Sequence, residues 1–375
     1  MTEDADLLHL QEYDRRIGEI EGLVGDLFTH LDSEVVGHDS SGNPQLRYRE
    51  PKYTHRLKEL ERMGGAFDAE SYLGKILEKR WLASMDKLWA IDAIGSPDFT
   101  ERSIDYFQNL VPTQEDVGRA KRIIMETSAE DTSDESSKMV YAFGLRDRME
   151  ASLKRKGLLG QSKWNVVIVN PREGERIPML CTDKASKRIR ICVDYKNPDR
   201  VARISKLHEV DGHVMQWQNG LEQPLPNTFF HGVDGRSVMT SEGIIGTVLR
   251  NEGYEPNNRK YAACLIAVDA ALREASYMDV VEMMEQNFGF TDKDAKDIAY
   301  RAKRGLSDTS KGGGFPKDAA YMLGDWAVQK YVERKGDLSK LYIGNIALED
   351  IAVIDWLLGN GTLKPARYLP DFLSY

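Results

Sequence analysis

A mostly helical α+β fold with a small antiparallel sheet is the class this sequence predicts, and three observations predict it. Through the first 125 residues, apolar side chains recur at helical spacing, as in Leu7, Leu10, Tyr13, Ile17, Ile20 and Leu27. The period shortens between Trp164 and Val193, where a β-type apolar run, Trp164 to Val169, stops at Asn170-Pro171 and Ile189, Ile191 and Val193 alternate with other residues. Beyond Asn197 the pattern is helical again nearly to the end. Long helical stretches around one short β segment imply helices packed beside two or three antiparallel strands, not repeated βα units.

Each element follows from local chemistry. In the N-terminal region, residues 1–130, a second stripe runs through Tyr72-Leu73, Ile76-Leu77, Trp81-Leu82 and Met85 to Trp89, with breaks at Gly64-Gly65 and Gly95-Ser96-Pro97. The stretch Glu126 to Ser137 is acidic, Ser/Thr-rich and almost free of aliphatic side chains, so it reads as a loop and divides that region from a second, residues 138–375. A helix is expected from about Lys138 to Lys156, then the strands. The next helix has Asn197 as its cap, Pro198 at its first position and Asn219-Gly220 at its end. Thr240 or Ser241 is expected to cap a later one, whose apolar continuation is Ile244, Ile245, Val248 and Leu249.

Composition narrows the function classes. Against 51 Lys and Arg stand 60 Asp and Glu, a formal charge of −9, so the chain lacks the cationic excess that nucleic acid or an anionic membrane attracts. Its expected partners are proteins or small molecules. The start is acidic where a secretory signal is cationic and then apolar, and no apolar run is long enough to span a bilayer, which predicts a cytoplasmic protein. Three cysteines without C-x-x-C spacing make neither a disulfide framework nor a thiolate zinc site.

Histidine is scarce, and its placement points to chemistry. Of 7 in the chain, His208, His213 and His231 fall close together, beginning with His208-Glu209-Val210-Asp211-Gly212-His213. Two imidazoles on one helix with a glutamate directly after the first are what a zinc hydrolase needs, as ligands and base. The familiar H-E-x-x-H spacing leaves the two rings about 40° apart around a helix, whereas five residues leave them about 140° apart. A regular helix therefore fails here. A π-type widening would return both rings to one side, and Asp211-Gly212, both poor helix formers, mark the place for it. Glu242, in the first turn of the helix capped by Thr240 or Ser241, is a candidate third ligand, although acidic residues also favour helix starts for dipole reasons. From spacing alone, a metal pair and two ordinary hydrogen-bonded histidines both remain open.

Several stretches together resemble one family, the zincin-type peptidases related to the microtubule-associated tyrosine carboxypeptidase, whose bacterial members carry a Gln-Glu-Gly-Leu-Ala motif. That family has H-E-x-x-x-H, found here as His208, Glu209 and His213, and a metal-binding glutamate in the Glu-Gly motif, found here as Glu242-Gly243. Also similar are Arg301-Ala302-Lys303-Arg304-Gly305, Asp308-Thr309-Ser310, Gly314-Phe315, Lys317-Asp318 and Tyr321, and the tail from Leu341 to Ile346 and Leu369 to Leu373. The chain departs from the bacterial motif at Ser241, which replaces Gln, and at Ile244-Ile245, which replace Leu-Ala. Pro316 stands where Thr is common.

The resemblance implies a zincin-like fold and a zinc-dependent peptidase, a carboxypeptidase that removes a tyrosine-like residue from the free C-terminus of a protein or peptide. It makes His208, His213 and Glu242 the zinc ligands and Glu209 the general base. Tyr321 and His231 are candidate donors to the oxyanion, each with a plainer reading, a core aromatic and a loop residue. Arg301, Lys303, Arg304 and Lys317 are candidate receivers of the terminal carboxylate, against the plainer reading of solvated surface cations. The strand Arg188 to Val193 is a candidate edge for an extended substrate. The alternatives are a non-catalytic regulatory or binding protein on the same scaffold and another zinc amidohydrolase.

Overall fold

The computed structural model describes residues 3–24, 27–49, 53–64, 71–107, 110–127, 138–170, 179–184 and 186–374. Most of the acidic stretch Glu126 to Ser137 lies outside them, as do Gly65 and Pro171. The fold is mostly helical, with small sheets, as expected for α+β.

The first region is helical where the stripes predict it. Helix Glu3–Val24 buries Leu10, Ile17, Ile20 and Val24, and helix Tyr72–Asp92 starts where the Ser71 hydroxyl accepts from the Gly74 N–H at 2.9 Å. Between them lies a hairpin not expected from the sequence, Ser33–His38 paired antiparallel with Pro44–Tyr48. Its signal was legible. In the turn Asp39-Ser40-Ser41-Gly42-Asn43, the Asp39 carboxylate accepts from the N–H groups of Ser41 (2.9 Å) and Asn43 (2.8 Å), and Gly42 takes φ +89°.

In the second region, helix Ala142–Arg155 precedes strands Asn165–Val169, Leu180–Asp183 and Arg188–Cys192. Here the structure corrects two expectations. The three strands form a mixed sheet: Arg188–Cys192 runs parallel to Asn165–Val169 and antiparallel to Leu180–Asp183. It is thus the middle strand, hydrogen-bonded on both sides, and has no free edge to offer a substrate. Leu180–Asp183 and Asn165–Val169 are the sheet's two edges. Alternation of apolar residues reveals which face of a strand is buried and not which strands are its neighbours.

One helical rod then runs from Asp199 to Gly220, and its middle, Leu207–Val214, is a π-helix. The expected widening is present, and the rod ends at the expected glycine. Its start is one residue later than expected, because Asn197 belongs to a short strand, Lys196–Pro198, paired with Met139–Tyr141. Helix Arg236–Asn251 also begins earlier than the expected cap at Thr240 or Ser241, so Glu242 sits in its second turn rather than its first. The two helices approach closely at Gly212, where any Cβ would stand 2.5 Å from Ile245 Cγ1. Helix Ala319–Glu333 crosses Arg236–Asn251 at Gly243 and Gly324, each of which leaves room for a backbone carbonyl of the other helix.

One apolar core holds side chains from both sides of the acidic stretch, from Leu10 through Trp164 and Val210 to Leu363. A second forms around helix Asn258–Leu272. Among the described residues, no helix is long and apolar enough to cross a membrane.

Candidate functional site

Three of these elements converge on one cluster. The π-helix carries His208 and His213, and helix Arg236–Asn251, held against it at Gly212, carries Glu242. One ligand atom of each lies within 4.8 Å of those of the other two. The His208 and His213 ring centroids are 4.9 Å apart at 85°, so the widened turn offsets the five-residue spacing. Both histidines are half-buried and Glu242 is 8% exposed.

The donor set fits a zinc ion. Two imidazoles and a carboxylate are a familiar catalytic set that leaves a coordination position open. Burial, reinforced by His208, Lys184 and Lys317, pushes the His213 pKa well below the ordinary value and keeps the ring neutral, as a ligand must be. Its Nδ1 lies 3.0 Å from Ser241 Oγ, and its ring stacks on Trp217 at 4.7 Å and 5°.

Glu209 lies beside this set. It is buried, and the Thr182 hydroxyl, on the edge strand, donates to its Oε2 at 2.5 Å. Burial pushes its carboxyl pKa up; His208 and the Thr182 bond work in the other direction, and Glu242 adds to the rise. A carboxylate so placed is poised to take and return a proton.

Lys317 and Tyr321 also reach the cluster. Lys317, in the 3₁₀ turn Pro316–Asp318, donates to the Tyr321 hydroxyl at 2.6 Å, and its Nζ lies 3.4 Å from Glu242 Oε1. Burial works against the Lys317 ammonium, yet Tyr321, Glu242 and Asp318 hold its pKa above the ordinary value. The Tyr321 ring is stacked on Tyr261 at 5.0 Å.

The other expected site residues have partners of their own. Lys303 is 0% exposed and directs its ammonium at the carbonyls of Ala275 (2.7 Å), Lys311 (2.5 Å) and Gly313 (2.8 Å). With all its donors engaged in tying the glycine loop to its own helix, Lys303 is a structural residue and receives no substrate. Arg301 and Arg304 both bind the buried Asp318, at 2.5 and 3.2 Å. They brace the turn that carries Lys317, and the Arg301 guanidinium stands 5.6 Å over the Tyr321 ring. His231 ends helix Pro226–His231; its Nδ1 is 4.0 Å from Glu21, and its carbonyl is 3.5 Å from Lys184 Nζ and 3.1 Å from Asn345 Nδ2. Lys184, which contacts that carbonyl, also stands over the Trp217 ring that stacks on His213.

Thr182 and Lys184 escaped the sequence reading. Lys184 Nζ stands 4.4 Å over the Trp217 ring. Nothing in their local sequence marks either one, because both owe their place to strand order.

Residues 34–375, nearly the whole chain, match the family described as microtubule-associated tyrosine carboxypeptidase. The chain belongs to that family. This carboxypeptidase family is a peptidase family, so the chain is a peptidase-type hydrolase by descent. No individual curated protein gives a match. Helix Glu3–Val24 precedes the matched residues, whereas every residue of the site just described lies within them.

Proposed function

We propose that this protein is a zinc-dependent carboxypeptidase that removes a tyrosine-like residue from the C-terminus of a protein tail. The observation that carries the proposal is the convergence of His208, His213 and Glu242 ligand atoms within 4.8 Å, in a chain of a tyrosine carboxypeptidase family. His208, His213 and Glu242 would hold the ion. Zinc, when bound, supplies Lewis-acid polarisation of a carbonyl and lowers the pKa of a water.

The chain's own residues do the rest. Glu209 takes the proton of the attacking water and passes it to the leaving amine, with its carboxylate steadied by the Thr182 hydroxyl. Among the described residues, edge strand Leu180–Asp183 pairs with a strand on one side only, so an extended tail can lie along the other, and Thr182 sets that strand beside the base. Lys317 and Tyr321 meet negative charge, on the carbonyl oxygen as it develops or on the terminal carboxylate of the substrate.

The test combines metal analysis with a peptide screen. The wild type should bind about one zinc per chain and His213→Ala none. A peptide ending in a free tyrosine should lose it, while the same peptide with an amidated end should not. Glu209→Gln should keep the metal and lose turnover by a factor on the order of 10² or more. A wild type that binds no zinc, or a Glu209→Gln variant with full activity, refutes the mechanism.

A further inference from the structure

His213 can serve as a ligand through Nε2 only if the proton of the neutral ring sits on Nδ1. The hydrogen bonds behind it decide which nitrogen that is, and they begin at a group that cannot change role. The Leu341 carbonyl only accepts, so the fully buried Gln216 must turn its Nε2 toward it, at 3.1 Å. That leaves Gln216 Oε1 as an acceptor, 2.7 Å from Ser241 Oγ. Ser241 has one hydroxyl proton and spends it there. At 3.0 Å from His213 Nδ1, the hydroxyl oxygen is then an acceptor, and Nδ1 must be the donor.

The neighbouring residue Tyr342 acts on the same turn. In a regular helix the Met215 N–H would bond the Asp211 carbonyl, but in the π-turn it reaches back to Val210. The Asp211 carbonyl instead accepts the Tyr342 hydroxyl at 2.9 Å. Tyr342 is fully buried, and burial holds its pKa well above the ordinary value, so that hydroxyl remains a donor. Asn219, further along the rod, and Gln223, just past its end, bind the carbonyls of Tyr342 (2.8 Å) and Ile343 (3.1 Å), which fixes the segment in register.

We propose that the segment Leu341–Tyr342, remote in sequence from the site, positions the ligand His213. Its carbonyl sets the ring's proton on Nδ1 through Gln216 and Ser241, and its tyrosine hydroxyl supports the carbonyl that the π-turn displaces. Ser241, Gln216 and Tyr342 are positioning residues, since none of them need touch substrate.

The inference rests on the metal-site reading and is tested apart from it. In metal-free protein, long-range proton–nitrogen NMR of the histidine rings should show His213 as the Nδ1–H tautomer, with the signal assigned by its loss in His213→Ala. Gln216→Met removes the fixed acceptor, frees the serine to donate, and should shift that ring toward Nε2–H. In chelator competition, Ser241→Ala, Gln216→Met and Tyr342→Phe should each weaken zinc binding by about 10- to 100-fold, with the fold verified by circular dichroism. Ser241→Thr, which keeps a hydroxyl, should bind zinc more tightly than Ser241→Ala. A wild-type His213 with its proton on Nε2, or zinc affinity unchanged in all three variants, overturns the proposal. A wild type with the Nδ1–H tautomer and no zinc affinity would instead sink the metal-site reading alone.

Discussion

Asp318 shows how a single residue organises the site's support. It is 1% exposed and bound by Arg301 and Arg304, and Lys317 follows them at 3.9 Å. Burial pushes its carboxyl pKa up, but Arg301, Arg304 and Lys317 outweigh that and hold it well below the usual carboxylate range. The native state therefore gives up this proton more readily than the unfolded chain, so the linked stability is fully present above the unfolded value near 3.8 and is lost as pH falls below it. Urea titrations at stepped acid pH should show a steeper loss for the wild type than for Asp318→Asn, whose amide has no such proton to bind. At neutral pH the variant should itself be less stable by about 3–5 kcal/mol, because two arginines lose their carboxylate. The cations near the glycine loop were legible in the sequence as a cluster. Their assignment to Asp318 and to three carbonyls was not, since pairing is set by what lies across the fold.

At the scale of elements, two close approaches set the ligand geometry. Gly212 lets the widened turn reach Ile245, and Gly243 with Gly324 lets two helices cross at backbone contact. Gly243→Ala should cost about 1–3 kcal/mol by overpacking, and because Glu242 is the preceding residue it should weaken zinc binding as well. Denaturant midpoints and chelator competition would read the two effects. The edge strand makes a different contribution. Thr182→Val keeps the β-branched shape and removes the bond to Glu209, so kcat should fall by about tenfold or more with KM little changed. A comparable rise in KM would place Thr182 in substrate binding instead. The π-turn could be foreseen because His208 and His213 cannot otherwise face one ion. Strand order could not, because Arg188–Cys192 has the same alternation whether it is central or at an edge.

Across the whole molecule, the first helix is fastened to the site's flank. The Asp14 carboxylate accepts from the Asn227 N–H (2.9 Å), the Thr228 N–H (2.8 Å) and the Thr228 hydroxyl (2.6 Å) at the start of the helix that ends in His231. About two turns later the fully buried Glu21 binds Arg80, accepts from the Ser84 hydroxyl at 2.7 Å and lies 3.3 Å from Lys87 Nζ. Glu21→Gln should destabilise the protein by about 3–5 kcal/mol, read by thermal or urea unfolding, since two buried cations then lose their counter-charge. Metal should act on global stability too. Free zinc at about 100 times its Kd should add roughly 2.7 kcal/mol, and chelator should remove that increment from the wild type while leaving His213→Ala unmoved.

By itself, the sequence determined the periodicity of the helices, the location of the β segment, and a histidine spacing that only a widened helix can reconcile with one ion. These are local consequences of side-chain chemistry and backbone geometry, so they can be read along the chain. Tertiary structure alone decided which strand is central, which cations are already bound, and which distant carbonyl dictates the proton of His213. Each of those depends on a neighbour brought in by packing from far along the chain, and a hydrogen bond or ion pair has no direction until that neighbour is in place.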